Sequence, residues 1–303
     1  MNIIGKRKIW YSISLLMIVP GLISLFVYGL NLGIDFRSGQ MSTVAGTPSA
    51  GVIRTASNNA VFKDVQIVVA GNQTQIRFAD PAAQAKHEAN HQKFKNELAA
   101  HGIDELSFDS VGPTVSKDIA RSAIISLILV SLAIVAYIAF AFRNAPQPVS
   151  PMSFGVMAII ALLHDSLFVL GVFSILGHFF GVEIDALFVT AILTVIGFSV
   201  HDTIVVFDRI RENLRREKGS FEHIVNDSIL ETFARSINTS LTVLFTLLAL
   251  LLFGGQSIHY FVLALLIGIA SGTYSSIFNA SPLLVTWYNF KLKRRARETK
   301  RVK

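Results

Sequence analysis

Cysteine is absent from this 303-residue chain, and charged residues are scarce. The lack of cysteine excludes a disulfide framework, a thiolate nucleophile and a cysteine-ligated metal. Only 16% of the residues are charged, against about 25% in an average soluble domain. The sequence also contains no glycine-rich phosphate loop, H-E-x-x-H zinc motif or G-x-S-x-G nucleophile motif. These absences argue against the common soluble enzyme classes. Hydrophobic residues, by contrast, make up 52% of the chain.

The hydrophobic residues are concentrated in six long runs. Each has about the length needed to cross ~30 Å of hydrocarbon as a helix that rises ~1.5 Å per residue. The runs cover residues 9–30, 120–142, 154–180, 186–207, 237–253 and 258–288. The sequence therefore predicts an α-helical membrane protein with six spans. The first span is too long for the apolar core of a cleaved signal, so we interpret it as an uncleaved anchor.

Basic residues flank these runs and predict the orientation of the chain. Of the 27 lysines and arginines, 17 lie at residues 6–8, 143, 209–218 and 291–303. Short flanks rich in lysine and arginine stay in the cytoplasm, so we expect both termini there. The net charge of +7 is thus explained by topology and by contact with membrane lipids, rather than by binding to nucleic acid.

One soluble segment, residues 31–117, is predicted on the outer side of the membrane. It carries eight basic and eight acidic residues. Its residue pattern predicts strands at residues 41–45, 64–70, 73–79 and 104–110, and helices at residues 48–60 and 81–101. A turn at Gly71 and Asn72 joins the second and third strands. The order βαββαβ is that of a small α+β domain of the ferredoxin-like type.

The predicted domains follow from these elements. They are a tail with the first span (1–30), the ferredoxin-like domain (31–117), a bundle of five further spans (118–290) with a cytoplasmic loop (208–236), and a basic tail (291–303). Within the loop, apolar residues recur at helical spacing over residues 220–234. This pattern predicts an amphipathic helix that either lies on the membrane surface or docks on the protein itself.

Two His-Asp pairs lie inside the predicted spans. His164 and Asp165 are near the middle of the third span, and His201 and Asp202 are in the fourth. Acids within a membrane usually face a bundle interior or a water cavity and mark a functional site. Asp202 has small and polar neighbours that admit water, so it is the stronger candidate, and a structural role is the alternative for both acids. The histidines are expected to serve in helix packing or to modulate the acids.

Arg235, at the start of the fifth span, is the available counter-charge for Asp202. Burial disfavours an ionised carboxyl group, whereas a nearby arginine favours it. An aspartate that alternates between a dry state and an arginine-paired state can therefore load and release a proton. The predicted coupling ion is a proton, with Na⁺ as the alternative, and no other cofactor is expected. Adjacent residues on a helix point about 100° apart, which argues against a metal site at either His-Asp pair.

Small residues recur every fourth position in the sixth span, at Ala264, Gly268, Gly272, Ser276 and Ala280. Such a stripe allows a second helix to approach closely. The helix could belong to this chain or to a partner.

The motifs around these residues identify a family. The stretch GFSVHDTIVVFDRIREN at residues 197–213 closely resembles the fourth-span signature of the SecF family of protein-export membrane proteins. RSINTS at 235–240 follows in the right order, and GIDF (33–36), VGP (111–113) and ALLHD (161–165) are further matches. The sequence departs from the family pattern at Arg37-Ser38-Gly39, where Thr-Gly-Gly is usual, and at His201, where asparagine is usual.

The resemblance implies one half of a transporter of the resistance-nodulation-division type. SecD would supply the other six spans, and the pair would associate with the SecYEG channel and often with YajC in the bacterial inner membrane. The complex would use the proton gradient to help unfolded preproteins leave the channel, without enzymatic activity. Asp202 and Arg235 match the positions implicated in proton relay, and Asp165 matches another family acid.

Three alternatives remain open from the sequence. A transporter half for lipids or small molecules would use the same acid but present an apolar outer funnel. A structural assembly factor would need no proton, so it would tolerate Asp202→Asn but not Gly272→Leu. A membrane enzyme would depend on His164 and Asp165.

Overall fold

The computed structural model describes residues 1–70, 72–79, 87–216 and 218–302. The chain divides into two compact units. We call residues 1–31 together with 124–303 the helical unit, and residues 32–123 the sheet domain. The first helix of the helical unit, α1 (Arg7–Val27), precedes the sheet domain in the sequence.

The sheet domain has the predicted ferredoxin-like topology. Its elements are α2 (Ile34–Arg37), β1 (Gly39–Ala45), α3 (Ala50–Asn59), β2 (Lys63–Ala70), β3 (Gln73–Ala79), α4 (His87–Ala100) and β4 (Glu105–Val111). The four strands form one antiparallel sheet in the order β2-β3-β1-β4, which confirms the predicted fold class. Gly71 of the predicted turn and residues 81–86 of the predicted second helix lie outside the described residues.

The core of this domain follows from its residue patterns. Ile76 and Phe78 alternate along β3 and point to one face of the sheet. Ile53 from α3 and Phe94 from α4 cover that face, and all four side chains are buried. Ser49 caps α3, since its side chain accepts a hydrogen bond from the backbone N–H of Val52. The helices are thus held on one side of the sheet by apolar contacts.

Ser38 has a backbone conformation that favours glycine. Its φ is 61° and its ψ is 162°, in a region that side chains with a Cβ rarely occupy. It stands between α2 and β1, in the segment where the sequence departs from the family's glycine pair. Serine at this position therefore strains the backbone turn.

We expect Ser38→Gly to stabilise the sheet domain by about 1 kcal/mol, because removal of the strain exceeds the entropy that glycine adds to the unfolded chain. The measurement is hydrogen exchange of the β1 amides in the full-length protein, which should slow by about five-fold. Ser107→Gly in β4 is the control and should speed exchange, since Ser107 has no positive φ. Unchanged exchange in Ser38→Gly would contradict the assignment of strain.

Five further spanning elements belong wholly or mainly to the helical unit. They are α5 (Pro113–Ala141), α6 (Pro151–Phe180), α7 (Ala186–Arg216), α8 (Phe221–Phe253) and a sixth spanning element formed by α9 (His259–Ser275), a π-helical turn (Ser276–Ala280) and α10 (Ser281–Val302). With α1, six helices in the described part of the chain are long and apolar enough to cross a membrane. The chain is a multi-pass membrane protein.

The predicted amphipathic helix at residues 220–234 is the first part of α8 rather than a separate surface helix. Ser220 caps it by accepting a hydrogen bond from the N–H of His223. Phe221, Ile224 and Ile229 are buried. The segment therefore docks on the protein, and the same helix continues into the fifth span.

Helices α6, α7 and α9 form the buried centre of the helical unit, and α1 crosses α6 closely. A Cβ atom on Gly21 would lie 2.8 Å from the Cα of Gly171, so the two backbones are in direct contact. One turn further along, the Ser24 and Ser174 hydroxyl groups are hydrogen-bonded at 2.9 Å. The glycines and serines together fix how α1 and α6 cross.

Candidate functional site

The two predicted acids are both buried at the centre of the helical unit. Asp165 lies on α6 and is 1% exposed, and Asp202 lies on α7 and is 2% exposed. Small residues allow the helices around them to approach. A Cβ on Gly268 of α9 would fall 2.2 Å from Cγ2 of Val195, and one on Gly272 would fall 3.0 Å from Cβ of Ser199. The small-residue stripe thus packs against α7 of this same chain.

Asp165 is surrounded by hydrogen-bond donors. The hydroxyl groups of Ser199 and Ser275 each donate to Oδ2 at 2.6 Å, and that of Ser271 donates to Oδ1 at 3.0 Å. His164 Nδ1 lies 3.0 Å from Oδ1. A carboxylate has about four lone-pair sites, so these contacts fill its capacity to accept. We call Ser199, Ser271 and Ser275 the hydroxyl cage of Asp165.

Asp202 has a much sparser environment. The Ser240 hydroxyl of α8 donates to its Oδ2 at 3.2 Å, and the Thr273 hydroxyl of α9 donates to Ser240 Oγ at 2.7 Å. His201 Nδ1 is 3.8 Å from Oδ1, which is longer than a hydrogen bond. With respect to the described residues, Asp202 therefore keeps acceptor sites free, and a carboxyl group with free sites can take up a proton without breaking existing bonds.

Arg235 does not meet Asp202 within this chain. It lies on an exposed face of α8, and none of the ion pairs formed in the described ranges includes it. Further exposed polar residues continue along α8, at Asn238, Thr239, Thr242 and Thr246. The arginine is thus the first residue of a polar stripe that the described part of this chain leaves uncovered.

The two histidines predicted to modulate the acids, His201 and His164, differ in their surroundings. The His201 side chain is 65% exposed, on the side of α7 that also exposes Thr190 and Thr194. We call this row and the stripe on α8 the polar face. The His164 side chain is 10% exposed, and its buried Nε2 has no partner among the described residues. Its ring centroid lies 6.4 Å from that of Tyr274.

Ser276, predicted as a packing residue, also makes polar contacts. Its hydroxyl oxygen lies 2.8 Å from the carbonyl oxygen of Gly272, 3.1 Å from that of Ser199 and 3.0 Å from the Thr203 hydroxyl, so its one proton is shared among these acceptors. It is the first residue of the π-helical turn. Ser276 therefore fixes the end of α9 to α7.

Sequence reasoning did not identify Ser240, Ser271, Thr273 and Ser275 as partners of the acids. The available signal was the density of hydroxyl residues at 271, 273, 275 and 276 in an apolar helix. The arrangement of Asp202 suits proton uptake, whereas that of Asp165 suits hydrogen bonding between helices. Within the described ranges no group of three or more His, Cys, Asp or Glu side chains is placed to hold a metal ion.

Comparisons with known proteins give matches over most of the chain. Residues 91–290 match the model for "Protein export membrane protein SecD/SecF, C-terminal", and residues 23–49 match the "SecD/SecF GG Motif". The chain is 51% identical to "Protein translocase subunit SecF" of Thermobaculum terrenum over 95% of this chain and 94% of that protein. It is 35% identical to "Protein translocase subunit SecDF" of Bacillus subtilis, over 96% of this chain and 38% of that protein.

A solved structure shows the same fold. The crystal structure of SecDF, described as a translocon-associated membrane protein, from Thermus thermophilus superimposes with a TM-score of 0.83 at 30% identity. The match covers 95% of this chain and 39% of that chain. The SecDF proteins therefore carry more than half of their length outside the region that this chain matches.

Proposed function

Because the chain belongs to the SecD/SecF family of protein-export membrane proteins, in its SecF branch, we propose that it is a SecF-type subunit that helps secreted proteins cross the bacterial inner membrane with energy from the proton motive force. Its substrates are unfolded preproteins. It has no enzymatic activity, and a proton is the coupling ion, with no other cofactor.

The observation that carries this proposal is the state of Asp202. It is buried, it accepts one direct hydrogen bond at 3.2 Å, and its neighbour His201 is exposed on the polar face. An uncompensated charge in a membrane interior is costly, so protonation changes which conformation of the bundle is favoured. A proton crossing 100 mV supplies ~2.3 kcal/mol, and each pH unit adds ~1.4 kcal/mol, which is enough to shift a two-state equilibrium.

A partner of the SecD type covers the polar face in this proposal. Arginine in a membrane costs ~2.5–3.5 kcal/mol on insertion scales unless it is paired, and Arg235 is exposed here. The matched SecDF proteins have additional length outside the matched region, and in this proposal a SecD-type subunit corresponds to part of it. An acidic side chain on the partner would pair with Arg235, and Asp202 would exchange its proton beside that pair.

The remaining assignments follow from the same role. The complex would act beside the SecYEG channel, with YajC as an accessory. Both termini would face the cytoplasm, where the basic tail contacts lipid headgroups, and the sheet domain would face the outer side. The sheet domain would bind or couple to the emerging preprotein.

The test is complementation of secretion. Cells depleted of their own SecD and SecF would express this chain with its cognate SecD, and the processing of a pulse-labelled preprotein would be followed. We expect the pair to restore processing, and the chain without its SecD to restore little. If the pair assembles at normal abundance and precursor still accumulates, the chain does not serve protein export.

A further inference from the structure

Helix α9 presents hydroxyl groups to both acids from opposite sides. Ser271 and Ser275 are four residues apart and share one face, where both donate to Asp165. Thr273 lies two residues from each, which is ~200° around the helix, and it donates to Ser240. Ser240 in turn donates to Asp202. The rotation of α9 about its axis therefore sets the contacts of both acids together.

The hydroxyl cage connects three helices through one carboxylate. Asp165 is on α6, Ser199 on α7, and Ser271 and Ser275 on α9, with oxygen–oxygen distances of 2.6–3.0 Å. The titratable groups close to Asp165 are His164 on its own helix, and Tyr274 of α9 next to His164. Ser199 is the α7 residue that bonds it. The hydroxyl cage thus attaches two adjacent turns of α9 to Asp165, through Ser271 and Ser275.

The structure at the C-terminal end of α9 bears on how the rotation of this helix is held. A π-helical turn, Ser276–Ala280, follows directly, and π turns inside helices are rare and frequent at functional sites. Ser276 at the start of this turn is bonded to α7. The hydroxyl cage adds a second attachment, because Ser271 and Ser275 bond α9 to Asp165 of α6.

We propose that Asp165 is a positioning residue: through Ser271 and Ser275 its carboxylate fixes the rotation of α9 and so holds the Thr273–Ser240 hydroxyl pair against Asp202. Asp165 then does not carry the proton itself. The inference rests on the proposed function, in which Asp202 is the carrier, and it assigns the two acids different roles in that mechanism.

The test compares pH profiles of gradient-driven translocation by the complete export complex in inverted inner-membrane vesicles. In Ser271→Ala/Ser275→Ala, α9 loses its hydrogen bonds to Asp165, and its rotation then weakens the support that the Thr273–Ser240 pair gives to the ionised form of Asp202. We expect translocation to persist, with its half-maximal pH raised by about one unit. Asp165→Asn should shift the profile in the same direction. Ser131→Ala on α5, whose hydroxyl bonds its own helix, is the control and should not shift it.

Two outcomes would overturn the inference. One is an unchanged profile in both cage variants. The other is complete loss of gradient dependence in Asp165→Asn with the serine variant unaffected, since Asp165 would then be the carrier. If the wild-type complex shows no gradient dependence, the proposed function fails instead.

A second variant covers the case in which the cage variants fail to assemble. Thr273→Val leaves the cage intact, has a similar shape, and removes the hydroxyl that donates to Ser240. It should raise the half-maximal pH as the cage variants do. In addition, a pH-dependent carboxylic-acid band in infrared difference spectra should be present in wild type and absent in Asp202→Asn. An unshifted profile in Thr273→Val would contradict the inference.

Discussion

Asp202→Asn is expected to abolish the gradient-dependent part of secretion while the complex assembles normally. Asparagine has the shape of aspartate and its amide oxygen can still accept the Ser240 hydrogen bond, so packing around α7 is retained. The amide cannot bind a proton at physiological pH. The energy of one proton at 100 mV, ~2.3 kcal/mol, corresponds to a rate effect on the order of 50-fold at most. The measurement is pulse-labelled preprotein processing in cells, at equal abundance of the variant and wild-type complexes.

Asp208→Asn is the matched control for this prediction. Asp208 lies on the same helix, is exposed, and pairs with Arg211 at 2.6 Å one turn away. Exposed pairs of this kind contribute only ~0–1 kcal/mol, so secretion should stay near the wild-type level. Normal secretion in Asp202→Asn would instead favour a structural assembly factor. Equal losses in both variants would point to a general effect of lost negative charge on α7.

Gly171→Ala is expected to destabilise the helical unit by about 3 kcal/mol. A Cβ at Gly171 would lie 2.7 Å from the Cα of Gly21, and a backbone atom cannot move aside as a flexible side chain can. The helices α1 and α6 must separate, which also stretches the Ser24–Ser174 hydrogen bond. The measurement is the thermal unfolding midpoint of the purified complex in detergent, together with the monodisperse fraction.

The control adds the same methyl group to the same helix. A Cβ on Gly155 of α6 would meet nothing within 4 Å, and alanine favours the helix over glycine by about 1 kcal/mol. Gly155→Ala should therefore leave the midpoint unchanged or raise it. If both variants unfold at the same temperature, the close crossing of α1 and α6 is not a major source of stability.

Much of the fold could be predicted from hydropathy and strand patterns, but the extent of α8 could not. The polar residues of 220–234 end the apolar run, so hydropathy places a boundary near residue 237. Hydropathy reports where a helix leaves lipid, not where its backbone hydrogen bonds end. No proline or glycine interrupts residues 220–253, and that absence is the local signal for one continuous helix.

The acids of the site could be predicted, whereas their partners could not. An aspartate in an apolar run is conspicuous because placing its charge inside a membrane costs free energy. Serine and threonine are not, since many bond their own helix, as Ser131 and Thr194 do. Only the packing of α9 between α6, α7 and α8 shows which hydroxyl groups meet an acid. The pairing of Arg235 stays a prediction, because it requires a second half of the complex.

The most direct test of the central claim uses inverted inner-membrane vesicles that hold the complete export complex. A preprotein would be stalled partway through the channel, and the completion of its translocation followed with ATP constant. We predict that an imposed proton gradient speeds completion when this chain is present, that an equal Na⁺ gradient does not, and that Asp202→Asn removes the effect. Completion at the same rate with and without the proton gradient would contradict the account.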